Sequence, residues 1–596
     1  MESPIDKLSN IWMLSFECAS VRACGSVGQA VYNMSRELAA KGTNVKVLMP
    51  SHGANKDTVV KKRLNLKEHE LVVKGRLSQR KFLPYKQPWS FKIAIESGRI
   101  HGTEVILFKG SNKVTSNILD DPVVYRPSKV EDKACLFARG VSGFLGYYLE
   151  RNFSPPDIIH IHNYHAVPAG TKAKQILENN GFKVGTVFTV HDLYKTEISW
   201  PYLDRGWCGL RNMKHPVSLE GRRQEFSHKQ LLRKARRRME SFAAMESHTL
   251  TAVSKDFLKH VVKFVGPLCE HKAMVAWNGC DWNYESLWTE ALANFGDAVK
   301  KTFDVPVVRR FQMRKYLLTS LLGNLAPDEP RFDCEEIAHE VSRLTKEPFL
   351  RNGRVTPFSG DGPMVLVKAR VGKKGGLDVF FRAIPKILGL VPDVRFLLLL
   401  FPTSESLNVI GKFSKLSMHY KENVRILFGR VDSIYRLAHL VSSIYVAPES
   451  ERPFSIDVLE AMATGNPCVC CRSVGVQEQV VDIRDDLTSG TGILVSPGDP
   501  DELADAVVSL ISIVSLSETL LRDGKIQRTE LEEKTDKVSY SLARMLIIED
   551  PSYGLTLREN AMQHLAKSFG WSKVVDMTID CYRRALDTVT TLQGSG

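Results

Sequence analysis

Short apolar runs, each closed by polar side chains, are the feature that most constrains this chain. Ile11–Phe16, Val45–Met49, Asp157–His162, Thr186–His191, Leu250–Ser254 and Met274–Trp277 form one series. Met364–Val367, Val394–Leu400, Val424–Phe428, Ile444–Ala447 and Pro467–Cys470 form a second. Apolar runs this short read as strands buried on both faces, as parallel sheets covered by helices require. After the first run comes a turn, Arg22–Gly28, then a helical pattern with Val27, Val31, Met34 and Leu38 on one face. Gly42 stops that helix before the next strand. Strand, turn, helix, strand opens a doubly wound sheet, and such sheets bind ligands beyond the carboxyl ends of their strands. The polar strand ends in HIHNYH (His160–His165) and TVHD (Thr189–Asp192) are therefore site candidates.

Composition narrows the partners. A length of 596 residues leaves room for two large α/β domains. The formal net charge of +14 suits an anionic small molecule such as a nucleotide diphosphate, or is plain colloidal charge. The basic stretch RKARRRME (Arg233–Glu240) reads as a solvated helix face, and nucleic acid is not expected, because no aromatic platform accompanies it. The start MESPIDKLSNIWMLSFEC lacks a basic segment followed by a long apolar run. No run approaches the roughly 18 uncharged apolar residues of a membrane span. The expectation is a cytoplasmic protein without a membrane partner. The 11 cysteines show no paired CxxC spacing, and Cys468, Cys470 and Cys471 fall on a core strand. No metal is expected.

Pro448–Gly465, PESERPFSIDVLEAMATG, resembles the diphosphate-binding loop and helix of retaining glycosyltransferases that use nucleotide-sugars. That pattern runs glutamate, Pro-Phe-Gly, then a helix carrying a second glutamate. Phe454 and Glu460 are in place here; Arg452 holds the first glutamate's slot, Glu451 precedes it, and Ser455 replaces the glycine. HIHNYH resembles H-x-H-D-W-H, TVHD resembles T-I-H-N, and Lys368–Asp378 (KARVGKKGGLD) resembles G-R-L-T-x-Q-K-G-x-D. PSHG (Pro50–Gly53), Trp277–Trp282, FGRV (Phe428–Val431), TGILVSPGD (Thr491–Asp499) and FGW (Phe569–Trp571) follow the same order. From Trp12 to about Leu586 the chain is similar to the glycogen and starch synthase family in its shorter, archaeal-type form.

The resemblance implies the GT-B fold, two Rossmann-like doubly wound α/β domains facing a cleft, with a C-terminal helix crossing back to the N-terminal domain. The expected boundaries are 1–288, a helical linker over 289–361, 362–548, and C-terminal helices over 549–596. It implies transfer of glucose from ADP- or UDP-glucose to an α-1,4-glucan with retention, with no cofactor beyond the donor. His165 would contact the donor sugar. Arg370, Lys374, Gly25 and Ser455 would hold the donor phosphates, by cationic charge and backbone N–H groups. Glu460 would bind the nucleotide ribose, and His191 and Glu17 would lie on the acceptor side. Glu451 would stand in for the missing glutamate beside Arg452. Metallo-β-lactamase-type enzymes use H-x-H-x-D-H, but Tyr164 fills the aspartate's place here.

The departures cluster. Ala23 stands where the family has a phosphate-binding lysine, Ser26 where it has a second glycine, and Arg452 reverses a charge beside the reacting sugar. They imply an alternative: a catalytically impaired paralogue that binds glucan or nucleotide and regulates or scaffolds an active synthase. The expected partners are a nucleotide-sugar and an α-glucan, with a second copy or an active paralogue as protein partner.

Overall fold

The computed structural model describes residues 8–78, 89–332, 335–344, 355–372, 375–403 and 406–593. The chain forms two compact units, Met1–Asn278 with Trp571–Gly596, and Gly279–Gly570.

The first unit is built on β1 (Asn10–Leu14), β2 (Asn44–Pro50), β3 (Lys67–Leu77), β4 (Trp89–Ile100), β5 (Thr103–Gly110), β6 (Ile158–His162), β7 (Gly185–Val190), β8 (Lys214–Leu219), β9 (Arg222–Ser227), β10 (Thr249–Ala252) and β11 (Ala273–Val275). Nine of these make one sheet in the order β11-β10-β7-β6-β1-β2-β5-β4-β3, and β8 and β9 pair as a separate hairpin. The sheet is parallel from β11 to β5 and antiparallel through β5, β4 and β3. Strand order reverses between β1 and β6, so the segments leaving those two strands flank one switch point.

Alternate residues of β1 and β2, Ile11, Met13, Val45, Val47 and Met49, face a core shared with Val27, Val31, Met34 and Leu38 of the helix Ser26–Ala40. The same core takes Val574, Val575, Tyr582 and Ala585 from the closing helix Trp571–Gln593. Gly42, at φ 90°, turns the chain out of the first helix in a conformation that L side chains avoid.

The second unit holds β12 (Met364–Arg370), β13 (Arg395–Phe401), β14 (Val424–Phe428), β15 (Ile444–Ala447), β16 (Cys468–Cys471) and β17 (Gly492–Val495). Their order, β14-β13-β12-β15-β16-β17, is that of a dinucleotide-binding Rossmann sheet, all parallel, with the switch point between β12 and β15. The helix Pro500–Asp523 is long and apolar enough to cross a membrane by composition, but it packs into this unit's core through Leu503, Val507, Leu510, Ile511 and Val514.

The structure redraws several expected boundaries. The first unit ends at Asn278, ahead of residue 288, and the helices Tyr284–Phe303, Arg310–Thr319 and Glu335–Leu344 belong to the second unit instead of a separate linker. Of the C-terminal helices, Tyr553–Phe569 also belongs to the second unit, and only Trp571–Gln593 joins the first. RKARRRME is broken: one helix ends at Lys234, Arg236 and Arg237 take positive φ of 52° and 63°, and the next helix starts at Met239.

Candidate active site

In the first unit, β1 delivers Phe16 and Glu17 to the switch point. Glu17 Oε2 accepts hydrogen bonds from the backbone N–H of Cys24 (2.7 Å) and of Gly25 (3.0 Å), and Oε1 accepts one from Tyr125 Oη (2.6 Å). Gly25 is the N-cap of the helix Ser26–Ala40. The loop amide expected to meet donor phosphate is thus bonded to the chain's own carboxylate. Phe16 meets His52, a residue that sequence analysis did not single out, edge-on at 5.9 Å. His52 Nε2 bonds to the Phe16 carbonyl (2.8 Å), and Lys133 Nζ donates to His52 Nδ1 (3.1 Å) and to the carbonyls of Asp121, Val123 and Val124. Burial lowers the Lys133 ammonium to about 7. PSHG was the available signal for His52; Lys133 reads in sequence as one more polar residue on a long helix.

The histidines of β6 and β7 converge beside this loop. The His165 ring packs against Tyr125 (4.6 Å), Tyr194 (5.1 Å) and Phe16 (5.2 Å), and its Nδ1 is buried without a hydrogen-bond partner. Burial, with Lys133 nearby, depresses it to about 3, so the imidazole is neutral. His160 bonds Tyr582 Oη (2.9 Å) and Thr189 Oγ1 (2.6 Å), while His162 Nδ1 meets His191 Nε2 at 3.0 Å. Burial holds His160 at about 3 and His191 at about 4. Asn163, at φ 59°, accepts the His191 backbone N–H through Oδ1 (2.9 Å), which ties HIHNYH to TVHD. Neutral imidazoles suit hydroxyl groups, which donate and accept but carry no charge.

In the second unit the expected phosphate and ribose residues gather where β12 and β15 end. Gly376, opening the helix Leu377–Leu390 at φ 65°, lies so close to Pro448 that a Cβ would fall 1.8 Å from its carbonyl oxygen. Arg370 ends β12 with its side chain exposed, and Lys374 lies outside the described residues. Ser455 N-caps the helix Ile456–Ala463: its Oγ accepts from Val458 N–H (3.3 Å), and its own N–H donates to Gln479 Oε1 (2.9 Å). Ser455 therefore closes the helix end instead of offering its N–H to a phosphate.

Arg452 is half-buried and doubly paired. Its Nη1 pairs with Glu449 Oε2 and its Nη2 with Asp457 Oδ2 (2.9 Å). Asp457 Oδ1 also takes Lys368 Nζ at 2.5 Å, Lys368 donates to Tyr435 Oη at 2.5 Å, and Tyr435 Oη donates to Glu460. Glu451, expected to replace the missing glutamate, is exposed, and the buried carboxylates beside Arg452 are Glu449 and Asp457. Burial works against Arg452's charge, but Glu449 and Asp457 outweigh it and raise its pKa. Burial, reinforced by Asp457, lifts Glu460 to about 7 against the opposing charge of Lys368. Lys368, Glu449 and Asp457 escaped sequence analysis because only pairing distinguishes them from surface charges.

Among the described residues, one other polar cluster has metal-ligand residue types. His215 Nε2 and His228 Nδ1 lie 2.9 Å and 2.7 Å from the two oxygens of Glu246. Gln175 is fixed by Arg211: its Oε1 accepts the backbone N–H, and its Nε2 donates to the carbonyl. The second Nε2 hydrogen then donates to His228 Nε2, so His228 Nδ1 carries the proton given to Glu246. With that proton on Nδ1, His228 has no lone pair aimed at an ion beside Glu246, and the donor set does not fit a metal.

The family description "Starch synthase catalytic domain" matches residues 10–268, and "Glycosyl transferases group 1" matches residues 362–512. Each unit thus matches a glycosyltransferase family model, and the fold is that of the GT-B glycosyltransferases. The catalytic domain of starch synthase IV from Arabidopsis thaliana, bound to ADP and acarbose, superposes with a TM-score of 0.63 at 16% identity over 97% of this chain and 99% of that one. Sucrose-phosphate synthase from Thermosynechococcus elongatus superposes with a TM-score of 0.50 at 15% identity over 96% and 98%. These likenesses carry the fold. In sequence, sucrose-phosphate synthase from Spinacia oleracea is 24% identical over 32% of this chain and 19% of its own length. The mannosyltransferase from Corynebacterium glutamicum that acts on a monoacylated phosphatidylinositol monomannoside is 27% identical over 26% of this chain and 39% of its own. The chain thus spans only 19% and 8% of the lengths of the first two sucrose-phosphate synthases it matches.

Proposed function

We propose that this glycosyltransferase carries glucose from ADP- or UDP-glucose to an α-1,4-glucan, with retention. The observation that carries the reading is the neutral, half-satisfied histidine set of HIHNYH and TVHD at the switch point of a unit matched over residues 10–268 by the starch synthase catalytic domain. His165 holds a sugar hydroxyl through an uncharged ring. Arg370 faces the diphosphate, whose leaving oxygen gains charge as the glycosidic bond breaks, and motif order assigns Lys374 to the same group. Glu460, pushed up to about 7, gives the ribose a carboxyl group that both donates and accepts near neutral pH. No cofactor takes part in this scheme.

A second reading has its own observation. Both backbone sites that would cradle donor phosphate are filled from within: Glu17 takes the amides of Cys24 and Gly25, and Gln479 takes that of Ser455. With Arg452 neutralised by Glu449 and Asp457, this favours a paralogue that binds glucan or nucleotide without transfer and regulates an active synthase.

Label transfer from ADP-[¹⁴C]glucose and UDP-[¹⁴C]glucose into glycogen, beside a His165→Ala variant, separates the two. Transfer that His165→Ala abolishes supports the enzyme. A folded protein that binds ADP, UDP or glucan and transfers nothing supports the paralogue.

A further inference from the structure

RKARRRME, the basic stretch that the transfer scheme leaves unused, is broken for a local reason. Arg236 and Arg237 take the left-handed conformation, at φ 52° and 63°, which L residues adopt at a cost. The turned segment lies against the loop that leaves β7. Arg237 O accepts from the Ile198 backbone N–H (2.8 Å), and Arg237 Nε donates back to Ile198 O (3.2 Å). Met239 N–H donates to Thr196 O (2.9 Å), and Glu197 and Arg238 form an antiparallel bridge. Glu240, the last residue of the stretch, is buried, and its Oε1 accepts the backbone N–H groups of both Tyr194 (3.0 Å) and Lys195 (2.9 Å). Lys195 is itself left-handed, at φ 56°. Two strained turns, one on each side, are thus bonded into a single clamp on residues 194–198.

What the clamp presents is Tyr194. Its ring packs on His165 (centroids 5.1 Å apart, planes at 76°) and on Tyr164 (5.1 Å, 59°). Phe16, Tyr125 and Tyr164 wall the same histidine at 5.2, 4.6 and 3.8 Å. Phe16 is buried and Tyr125 and Tyr164 are half-buried, whereas Tyr194 keeps 41% of its surface exposed. The open side of the His165 surroundings is therefore an aromatic ring whose backbone is already fixed, so little ordering remains to be done when a ligand arrives. One face of a pyranose ring presents C–H groups, which pack on the electron-rich face of an aromatic ring. The hydroxyls at its rim can then reach the neutral imidazoles alongside.

We propose that Tyr194 is the platform on which a glucosyl ring of the acceptor stacks beside His165, and that Glu240 is the positioning residue that holds it there. The inference rests on the glucan acceptor proposed above and names the ring contact that such an acceptor uses. Stacking asks for the ring of Tyr194 and not for its hydroxyl. Glu240 acts through an acceptor oxygen and not through its charge.

Calorimetric titration of the full chain with maltoheptaose tests both parts. Tyr194→Ala should weaken binding about tenfold, and Tyr194→Phe should bind as the parent does. Glu240→Ala should weaken it to a similar extent, and Glu240→Gln, whose amide oxygen still accepts both N–H groups, should restore it. Parent-like binding by Tyr194→Ala, or a loss that Tyr194→Phe shares, overturns the platform and leaves the glucan reading standing. A parent that takes no maltoheptaose at millimolar concentration overturns the glucan reading and the platform together. Parent-like binding by Glu240→Ala, or a loss that Glu240→Gln shares, overturns the positioning role. If Glu240→Ala does not fold, amide exchange of the parent decides that role. The N–H groups of Tyr194 and Lys195 should be protected, and free exchange at both overturns the clamp.

Discussion

The two units solve the same problem with opposite materials. At the switch point of the first, His160, His162, His165 and His191 are buried neutral rings joined by hydroxyls and by one another. At the switch point of the second, the half-buried Lys368 and Arg452 and the buried Glu449 and Asp457 are charges that cancel in pairs. A neutral set keeps donors and acceptors open at little electrostatic cost, so His165 Nδ1 remains for a ligand together with His162 Nε2 and His191 Nδ1, of which one is a lone pair and the other an N–H. A charged set cannot stay open, because an unpaired buried ion costs several kcal/mol. The first unit thus keeps polar ring atoms open that suit uncharged hydroxyl groups, while the second pairs its own ions.

Acid should break this symmetry most. The folded pKa values of His160 (about 3), His165 (about 3) and His191 (about 4) lie below the ordinary 6.5. The unfolded chain therefore binds more protons, and the stabilisation is complete above about 6.5 and lost as pH falls toward 3. Each such group contributes about 1.4 kcal/mol per pH unit in that range. Amide protection factors, corrected for the slower intrinsic exchange in acid, should fall further between pH 7 and 5 in β6 and β7 than in β12 and β15, where His439 is the buried neutral ring. Simultaneous loss in both units would count against the neutral-ring account.

Arg452 gives the next largest effect. Arg452→Met leaves Glu449 buried without its cation and should cost about 3–5 kcal/mol in urea unfolding. Arg452→Glu should be worse, since it adds a carboxylate beside Glu449 and Asp457. Restoring the family's glutamate alone is therefore expected to yield no transferase activity. Adding Glu449→Gln and Asp457→Asn should recover the stability; an Arg452→Glu protein as stable as the parent would refute the pairing.

Glu460 tests the second unit from the alkaline side. Its folded pKa, about 7, lies above the usual 4.5, so the folded state holds the proton longer. Stability then falls as pH rises from 4.5 to 7, and the penalty is complete above 7. Glu460→Gln should remove that slope and stabilise the protein at pH 8 by up to about 3 kcal/mol. A parallel pH–stability curve for the variant would show that Tyr435 and Lys368 already hold Glu460 ionised.

The sequence was most legible where one periodicity sufficed. Strands such as Val424–Phe428 and Ile444–Ala447 are continuous apolar runs, and their limits follow from hydropathy. The antiparallel extension β3–β5 went unread because β3, KEHELVVKGRL, alternates exposed and half-buried residues and shows no continuous apolar run. RKARRRME has helical composition, yet Arg236 and Arg237 turn left-handed between two helices that pack separately. At the site, the motifs located His165, His191, Arg370 and Glu460, but motif spacing counts residues and not bonds. It could not show that Glu449 reaches Arg452 across one turn, or that Glu17 folds back on Gly25.

Ser455 sets the smallest and most discriminating contrast. Its Oγ caps the helix Ile456–Ala463, so Ser455→Ala should cost about 1 kcal/mol, and Ser455→Gly only a few tenths. Glycine at this position is the family's residue and would be expected to admit a phosphate more closely. Yet the N–H that phosphate would use is bonded to Gln479 Oε1, and removing a Cβ does not release it. ADP affinity by calorimetry should therefore stay level in Ser455→Gly and rise in Gln479→Ala, where the amide is freed. A rise in Ser455→Gly alone would mean that the serine side chain, and not the occupied amide, is what keeps phosphate from this helix end.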